Sequence, residues 1–149
     1  MEKSLLLKIQ SNRLIYWGVF LFLLGLVVGL MAPLFANPRM GVSSHIEGIL
    51  NGMFLIILGL IWDKILVSEK WLKITFWLAI YGTFMNWFGI LLSAIFNGGK
   101  MLGIMAPTDE SSPIVEGIIG FSLISLSIAM IATCVILLIG LKRKMSATI

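Results

Sequence analysis

Three side chains that could take part in chemistry lie within a stretch of seven residues in an otherwise apolar segment. They are His45, the only histidine in the chain, Glu47 and Asn51. At about 100° per residue, a helix places His45 and Asn51 within one sector of about 120°, with Glu47 at its edge. Glu47 precedes Asn51 by four residues, so the two side chains can hydrogen-bond along the helix. Ionisable groups in an apolar helix are costly, and this segment is therefore a candidate functional site.

Two later apolar segments carry a similar but sparser set of polar residues. Asn86 lies in the third segment with Tyr81 nearby, and Glu116 lies at the start of the fourth. His45 and Glu116 fall near one end of their segments, whereas Asn51 and Asn86 lie deeper, and the four residues can converge on one pocket. Two simpler interpretations stay open. Small residues can serve close helix packing, and His45 can be an interfacial residue held by water and headgroups.

A single histidine restricts the chemistry that the chain can perform. His45, Ser44 and Glu47 cannot form a hydrolytic triad, because residues one and two apart point to different sides of a helix. A lone imidazole is better suited to bind a metal or a haem iron through one ring nitrogen. One histidine per chain leaves an axial position of such a haem open, which suits Lewis-acid chemistry, unless one of the nine methionines supplies the second ligand.

The composition places these residues in a membrane protein. Of the 149 residues, 59% are hydrophobic and 12% are charged, and the mean hydropathy is +1.05. Soluble domains are considerably more polar. The net charge of +4 does not indicate nucleic-acid binding, because the lysines flank apolar runs. The single cysteine, Cys134, excludes an internal disulfide, and no Cys/His cluster has the spacing of a metal site.

Four apolar runs are long enough to cross a bilayer as helices. They cover approximately residues 14–35, 44–67, 72–96 and 113–141. The sequence therefore predicts an all-α integral membrane four-helix bundle that forms one domain over residues 1–149. The amino-terminal residues up to Arg13 are predicted to form an interfacial helix lying on the membrane, and Trp62 is predicted to be an interfacial anchor.

The distribution of lysine and arginine predicts the orientation, because positive residues are retained on the cytoplasmic side. Nine of the eleven lie in the amino-terminal segment, the second connection and the carboxy-terminal tail. The other two, Arg39 and Lys100, lie on the opposite side. Both termini are therefore predicted to be cytoplasmic, and the loop of residues 97–112 to be external.

Three motifs resemble a known family of small membrane isomerases. They are SHIEGILNGMFL from Ser44, YGTFMNW from Tyr81 and PIVEG from Pro113. These strings are similar to those of the four-helix proteins that include styrene-oxide isomerase and hydroxylaminobenzene mutase. The likeness covers the second to fourth spans, and the His-x-Glu-Gly-x-x-Asn-Gly signature is its most specific part.

The resemblance implies haem b as a cofactor, a homotrimer and a bacterial cytoplasmic membrane. Styrene-oxide isomerases bind haem b between neighbouring subunits through the histidine that matches His45, and asparagines that match Asn51 and Asn86 lie at that site. Their ferric iron acts as a Lewis acid that opens an epoxide, and a hydride shift gives an aldehyde. The related mutases convert hydroxylaminobenzene to 2-aminophenol. Glu47 and Glu116 are then expected to support the cofactor, by holding the imidazole or the haem propionates.

One position departs from the styrene-oxide isomerase pattern. Those enzymes carry a tyrosine one helical turn after the asparagine that matches Asn86, and this chain has Ile90 there. The nearest alternative hydroxyls are those of Tyr81 and Ser93. The leading hypothesis is a membrane isomerase of a small lipophilic aromatic, either an epoxide or an arylhydroxylamine, with His45 as the axial ligand. The alternatives are a non-catalytic haem-binding cytochrome or anchor subunit, and a four-helix scaffold without a cofactor.

Overall fold

The computed structural model describes residues 3–105 and 111–147. This part of the chain contains no strand and four long helices, which are α1 (Lys3–Met31), α2 (Pro38–Leu60), α3 (Glu69–Phe96) and α4 (Pro113–Ser146). Short 3-10 turns follow α1, α2 and α3. All four helices are long and apolar enough to cross a membrane. The predicted all-helical fold with four helices of membrane-spanning length is therefore confirmed, although α2 begins and ends about six residues earlier than the predicted span 44–67.

The helix ends follow from local chemistry. The side chain of Asn37 accepts a hydrogen bond from the backbone N–H of Met40 at 3.2 Å, so it caps α2. Ser112 caps α4 in the same way. In both helices a proline occupies the first turn, where its missing N–H costs nothing. α3 ends at Asn97, whose φ of 50° is the left-handed conformation that stops a helix.

Two predictions, one about the amino-terminal segment and one about Trp62, are wrong. The segment up to Arg13 is not a separate interfacial helix, because α1 runs without a break from Lys3 to Met31. Trp62 is not an interfacial anchor, because it is fully buried and its Nε1–H donates to Oε1 of Gln10 at 3.2 Å. Ser11, the residue after Gln10, donates its hydroxyl hydrogen to a backbone carbonyl of α2 at 2.8 Å. The polar residues of this segment therefore pair with the second helix and the turn that follows it.

The helices pack in sequence order. α1 packs against α2, α2 against α3, and α3 against α4. A smaller contact joins α1 to α3. The α1/α3 contact includes an edge-to-face pair of Trp17 and Phe84, with ring centroids 5.9 Å apart. The backbone N–H of Leu66 donates to the carbonyl of Gly140 at 3.2 Å, which attaches the α2–α3 connection to α4. The main core contains Leu14, Leu21, Leu55, Leu58, Trp62, Leu72, Phe76 and Ala79.

Glycines bring the backbones of α1 and α2 into direct contact. A Cβ atom added at Gly48 would lie 2.5 Å from the Cα atom of Gly25. A Cβ atom at Gly52 would lie 2.7 Å from the carbonyl oxygen of Gly18. Such close approach is typical of small residues spaced four apart in membrane helices. It sets the distance across which side chains of α2 can reach carbonyl groups of α1.

The outward surfaces of α1 and α4 are apolar. Large hydrophobic side chains are exposed along both helices, among them Val19, Leu23 and Leu30 of α1 and Phe121, Ile128, Ile131 and Leu138 of α4. A water-soluble monomer rarely exposes an apolar surface of this extent. The arrangement fits an integral membrane protein, whose outer surface contacts lipid or a neighbouring subunit.

Candidate functional site

The imidazole of His45 is held by a backbone carbonyl of α1. Its Nδ1 atom lies 2.8 Å from the carbonyl oxygen of Gly25. A carbonyl oxygen can only accept, so this contact requires the proton on Nδ1 and leaves the lone pair on Nε2. In the described parts of the chain, Nε2 has no hydrogen-bond partner. It is also not buried, so it is accessible to a ligand. This is the tautomer that a metal-binding histidine needs.

Gly29 provides the space for this imidazole. A Cβ atom added at Gly29 would lie 2.5 Å from Nδ1 of His45 and 2.9 Å from its Cε1. The half-buried ring of His45 therefore occupies the volume that any larger residue at position 29 would fill. The first span supplies both elements of the His45 site, since Gly25 binds the ring and Gly29 accommodates it.

His45 opens onto an apolar cavity between α1 and α2. The cavity has a volume of about 470 Å³, and its other lining residues are Leu26, Gly29, Leu30 and Val42. The apolar lining and the single ligating nitrogen suit a haem, and because Leu26, Leu30 and Val42 are exposed the cavity is open on its outer side. Within residues 3–105 and 111–147, no group of three or more His, Cys, Asp or Glu residues could hold a bare metal ion.

Glu47 joins the two candidate asparagines. Its Oε2 atom accepts a hydrogen bond from Nδ2 of Asn51 at 3.0 Å and one from Nδ2 of Asn86 at 2.6 Å. Nδ2 of Asn51 also donates to the backbone carbonyl of Glu47 at 2.9 Å. The predicted hydrogen bond between Glu47 and Asn51 along α2 is therefore confirmed, and the same carboxylate extends the contact to α3.

A second cavity lies beside this cluster. Its volume is about 250 Å³, and it is lined by Glu47 together with Met40, Ser43, Ile46, Ile90 and Leu102. The lining is apolar except for Glu47 and Ser43. Ile90, which stands where the resemblance expects a tyrosine, is nearly buried and contributes no polar atom to this cavity.

His45 and Glu47 open onto different cavities. They are two residues apart, which places them about 200° apart around α2. Asn51 and Asn86 therefore come together through Glu47, on the side of α2 that meets α3, whereas His45 faces α1. The four residues that were expected to share one pocket do not do so within a single chain.

Glu116 holds the connection between α3 and α4. Its Oε1 accepts from the backbone N–H of Gly99 at 2.9 Å and from the hydroxyl of Ser111 at 2.6 Å. Its Oε2 accepts from the backbone N–H of Lys100 at 3.0 Å. Ser93, one of the alternative hydroxyls, is buried and donates to the carbonyl oxygen of Gly98 in the same connection. Both residues thus bind the loop backbone.

Tyr81 lies apart from the asparagine cluster. Its hydroxyl donates to Oγ of Ser125 on α4 at 2.8 Å, and 38% of the residue is exposed. Five residues separate it from Asn86, which corresponds to a rotation of about 140° and a rise of about 7.5 Å along α3. Tyr81 therefore faces α4 and the outer surface.

Three residues have roles in the site that the sequence does not reveal. Gly25 and Gly29 form the His45 pocket, and Ser44, which is fully buried, donates to the carbonyl of Trp87 at 3.4 Å and so connects α2 to α3. The spacing of four between Gly25 and Gly29 is a recognisable packing signal. It does not show that the space it creates accepts an imidazole from another helix.

The fold and site define a helical membrane protein with buried polar groups that close packing does not require. The styrene oxide isomerase family matches this chain over residues 10–142. Hydroxylaminobenzene mutase HabA of Ectopseudomonas oleovorans is 48% identical over 127 residues, which are 85% of this chain and 94% of the relative. Hydroxylaminobenzene mutase HabB of the same organism is 45% identical over 133 residues, which are 89% of this chain and 81% of the relative.

The chain belongs to the styrene oxide isomerase family, and it is an isomerase. The family match covers α2 and α3 completely, α1 from residue 10 and α4 up to residue 142, and it includes the residues that line the two cavities described above. No solved structure matches this chain.

Proposed function

We propose that this protein isomerises an arylhydroxylamine to an aminophenol within the membrane, with haem b bound through His45. The observation that carries the proposal is the Glu47 cluster, in which two asparagines from different helices donate to one carboxylate oxygen. Helix packing alone does not require this arrangement. The two hydroxylaminobenzene mutases, which are 45% and 48% identical to this chain, favour the hydroxylamine over an epoxide, and so does Ile90.

The reaction needs no consumed co-reactant. The N–O bond of the arylhydroxylamine breaks, and a C–O bond forms at the ring carbon ortho to the nitrogen. That carbon loses its hydrogen as a proton, and the nitrogen gains one, so the substrate and the aminophenol have the same composition. Both molecules are small and lipophilic enough to partition into a bilayer, which fits a site that lies among membrane helices.

The His45 cavity supports the cofactor assignment. The Nδ1–H donated to Gly25 leaves Nε2 available to bind an iron, and the side chains of Leu26, Leu30 and Val42 give the cavity an apolar lining. A ferric haem bound through His45 would supply a Lewis acid. Asn51 and Asn86 then orient the oxygen or nitrogen of the substrate, and Glu116 holds the outer loop rather than the imidazole.

A homotrimer with haem between subunits explains why the two cavities lie on different sides of α2. Within one chain His45 and the asparagines do not meet. Contact between neighbouring copies can bring the His45 cavity of one subunit to the asparagine cluster of the next. The exposed apolar surface of α1 beside His45, which includes Leu26 and Leu30, is available for such an interface.

The proposed location is the bacterial cytoplasmic membrane, with both termini in the cytoplasm. Four crossings place both ends of the chain on one side, and nine of the eleven lysines and arginines lie on that side. The loop held by Glu116 is then external.

The test is the visible absorption spectrum of the protein purified in mild detergent, together with turnover of hydroxylaminobenzene and of styrene oxide. We expect a Soret band that His45→Ala abolishes and that Ser127→Ala, at an exposed hydroxyl of α4, retains. We also expect 2-aminophenol as the product. A colourless protein, even after haem is supplied during expression, would refute the cofactor assignment. A six-coordinate, readily reduced haem without isomerisation would instead indicate an electron-transfer subunit.

A further inference from the structure

The amide group of Asn51 has no donor left for a substrate. An amide nitrogen carries two hydrogens. In Asn51 one points to Oε2 of Glu47 at 3.0 Å and the other to the backbone carbonyl of Glu47 at 2.9 Å. The opposite orientation of the amide would place its carbonyl oxygen against two acceptors and is unfavourable. Only the carbonyl oxygen Oδ1 of Asn51 therefore remains for a ligand, and it is a hydrogen-bond acceptor.

Glu47 also orients the amide of Asn86 so that its nitrogen points towards the carboxylate. Nδ2 of Asn86 donates to Oε2 of Glu47 at 2.6 Å, slightly shorter than the usual N–H···O range of about 2.7–3.2 Å. This contact crosses from α3 to α2, so one carboxylate fixes amides that come from two different helices. Because each amide points its nitrogen at Glu47, each directs its carbonyl oxygen away from Glu47.

The adjoining cavity offers no compensating donor. The hydroxyl of Ser43 donates to the carbonyl of Arg39 at 3.1 Å, and Ile90 has no polar atom. In the described parts of the chain, the one buried side-chain donor without a partner is Nε1 of Trp87, and Trp87 does not line this cavity. Apart from the second hydrogen on Nδ2 of Asn86, the side-chain polar groups described at this cluster present acceptors.

We propose that Glu47 is a positioning residue that makes the site select substrates able to donate hydrogen bonds. This inference rests on the proposed function, and it identifies the feature of the substrate that the site recognises. An arylhydroxylamine carries an N–H and an O–H that can donate to the two asparagine carbonyls. An epoxide has only an acceptor, so it can donate to neither carbonyl. A site built to accept from a substrate discriminates strongly against an analogue that lacks the donor.

The test compares binding of two unreactive probes, N-methylaniline, which donates one N–H, and N,N-dimethylaniline, which donates none. Binding is measured by thermal stabilisation of the purified protein and corrected for the partition of each probe into detergent. One neutral hydrogen bond predicts that the wild type prefers the donor about three- to tenfold. In Glu47→Gln the amides can reorient, so we expect this preference to fall towards one. The matched control is Glu69→Gln, in the first turn of α3, which should retain the preference.

A second variant keeps the proposal testable if Glu47→Gln does not fold. Asn51→Leu has a similar shape and lacks the carbonyl, so it should also lose the preference for the donor. Catalysis is followed in the same proteins as the ratio of kcat/KM for hydroxylaminobenzene and styrene oxide. A merely structural role would weaken both probes and both substrates equally, and that result in Glu47→Gln would overturn the proposal.

The probe experiment separates the two proposals. If neither substrate is isomerised but the preference for the donor disappears in Glu47→Gln, the proposed reaction is wrong and the role of Glu47 stands. If hydroxylaminobenzene is isomerised and the preference is absent from the wild type or unchanged in the variant, the reaction stands and the role of Glu47 is wrong.

Discussion

His45 on α2 and Gly25 on α1 are joined by a contact of 2.8 Å between Nδ1 and the carbonyl oxygen. The contact exists because Gly25 and Gly48 allow the two backbones to touch, so a ring on one helix reaches a carbonyl on the other. The position of the histidine is thus a property of the α1/α2 packing. Changes in α1, which carries no ligating residue of its own at this site, should therefore alter the behaviour of His45.

Gly29→Ala should displace the imidazole without removing it. The new Cβ atom would lie 2.5 Å from Nδ1, so the ring must move away from the carbonyl of Gly25. Loss of such an outer contact to a metal-binding histidine typically lowers metal affinity about 10- to 100-fold. We expect a correspondingly weaker haem affinity, measured by titration of the Soret band in protein from which haem has been removed. Gly117→Ala is the matched control, because nothing lies within 4 Å of a Cβ at that position. Equal haem affinity in both variants would contradict the prediction.

Gly48→Ala should destabilise the fold. A Cβ atom there would lie 2.5 Å from the Cα atom of Gly25, and a backbone cannot move aside as a side chain can. Overpacking of this kind typically costs about 1–3 kcal/mol of unfolding free energy. The measurement is reversible unfolding in mixed detergent micelles, again with Gly117→Ala as the control. An unchanged unfolding midpoint would show that α1 and α2 are less closely packed than this structure has them.

The sequence predicted the elements and the local contacts well. The helices follow from runs of about 20 apolar residues, and the Glu47–Asn51 hydrogen bond follows from a spacing of four within one helix. Both depend only on residues that are close in the chain. The beginning of α2 was not predicted, because the second span was expected from about residue 44, whereas Asn37 caps a helix that begins at Pro38.

The side of α2 that meets each neighbour was not predictable from local pattern. His45 and Asn51 fall within one helical sector, yet His45 bonds to a carbonyl of α1, whereas Asn51 bonds to Glu47, which also binds Asn86 of α3. Trp62 was misassigned for a similar reason, because its partner Gln10 lies 52 residues earlier in the chain. Pairings of this range depend on how whole helices pack, and a single sequence carries no direct signal of them.

Glu116→Ala should loosen the connection between α3 and α4. The carboxylate accepts from the backbone N–H groups of Gly99 and Lys100, and its loss leaves both without that partner. We expect hydrogen exchange at these two amides to accelerate about tenfold or more, because a hydrogen bond to a charged group contributes about 1.5–3 kcal/mol. Ser127→Ala, which removes only a hydroxyl bonded within α4, is the control. The same protection in both variants would mean that the loop does not depend on Glu116.

Asn51→Ala should lower turnover while the protein keeps its haem. The side chain of Asn51 is 8% exposed and bonds to Glu47 and not to His45, so its removal leaves the Nδ1 contact of the imidazole in place. The variant loses the carbonyl that would orient the substrate, and removal of a single orienting group commonly lowers kcat about 10²-fold or more.

Turnover of hydroxylaminobenzene and the Soret absorbance per protein are measured on the same preparation, with Asn86→Ala and Ser127→Ala alongside. Asn86→Ala should also be slow, because the second carbonyl is lost, and Ser127→Ala should match the wild type. Unchanged kcat in both asparagine variants would mean that Asn51 and Asn86 serve the packing of α2 against α3, and the reacting groups would then have to be sought among the residues around His45.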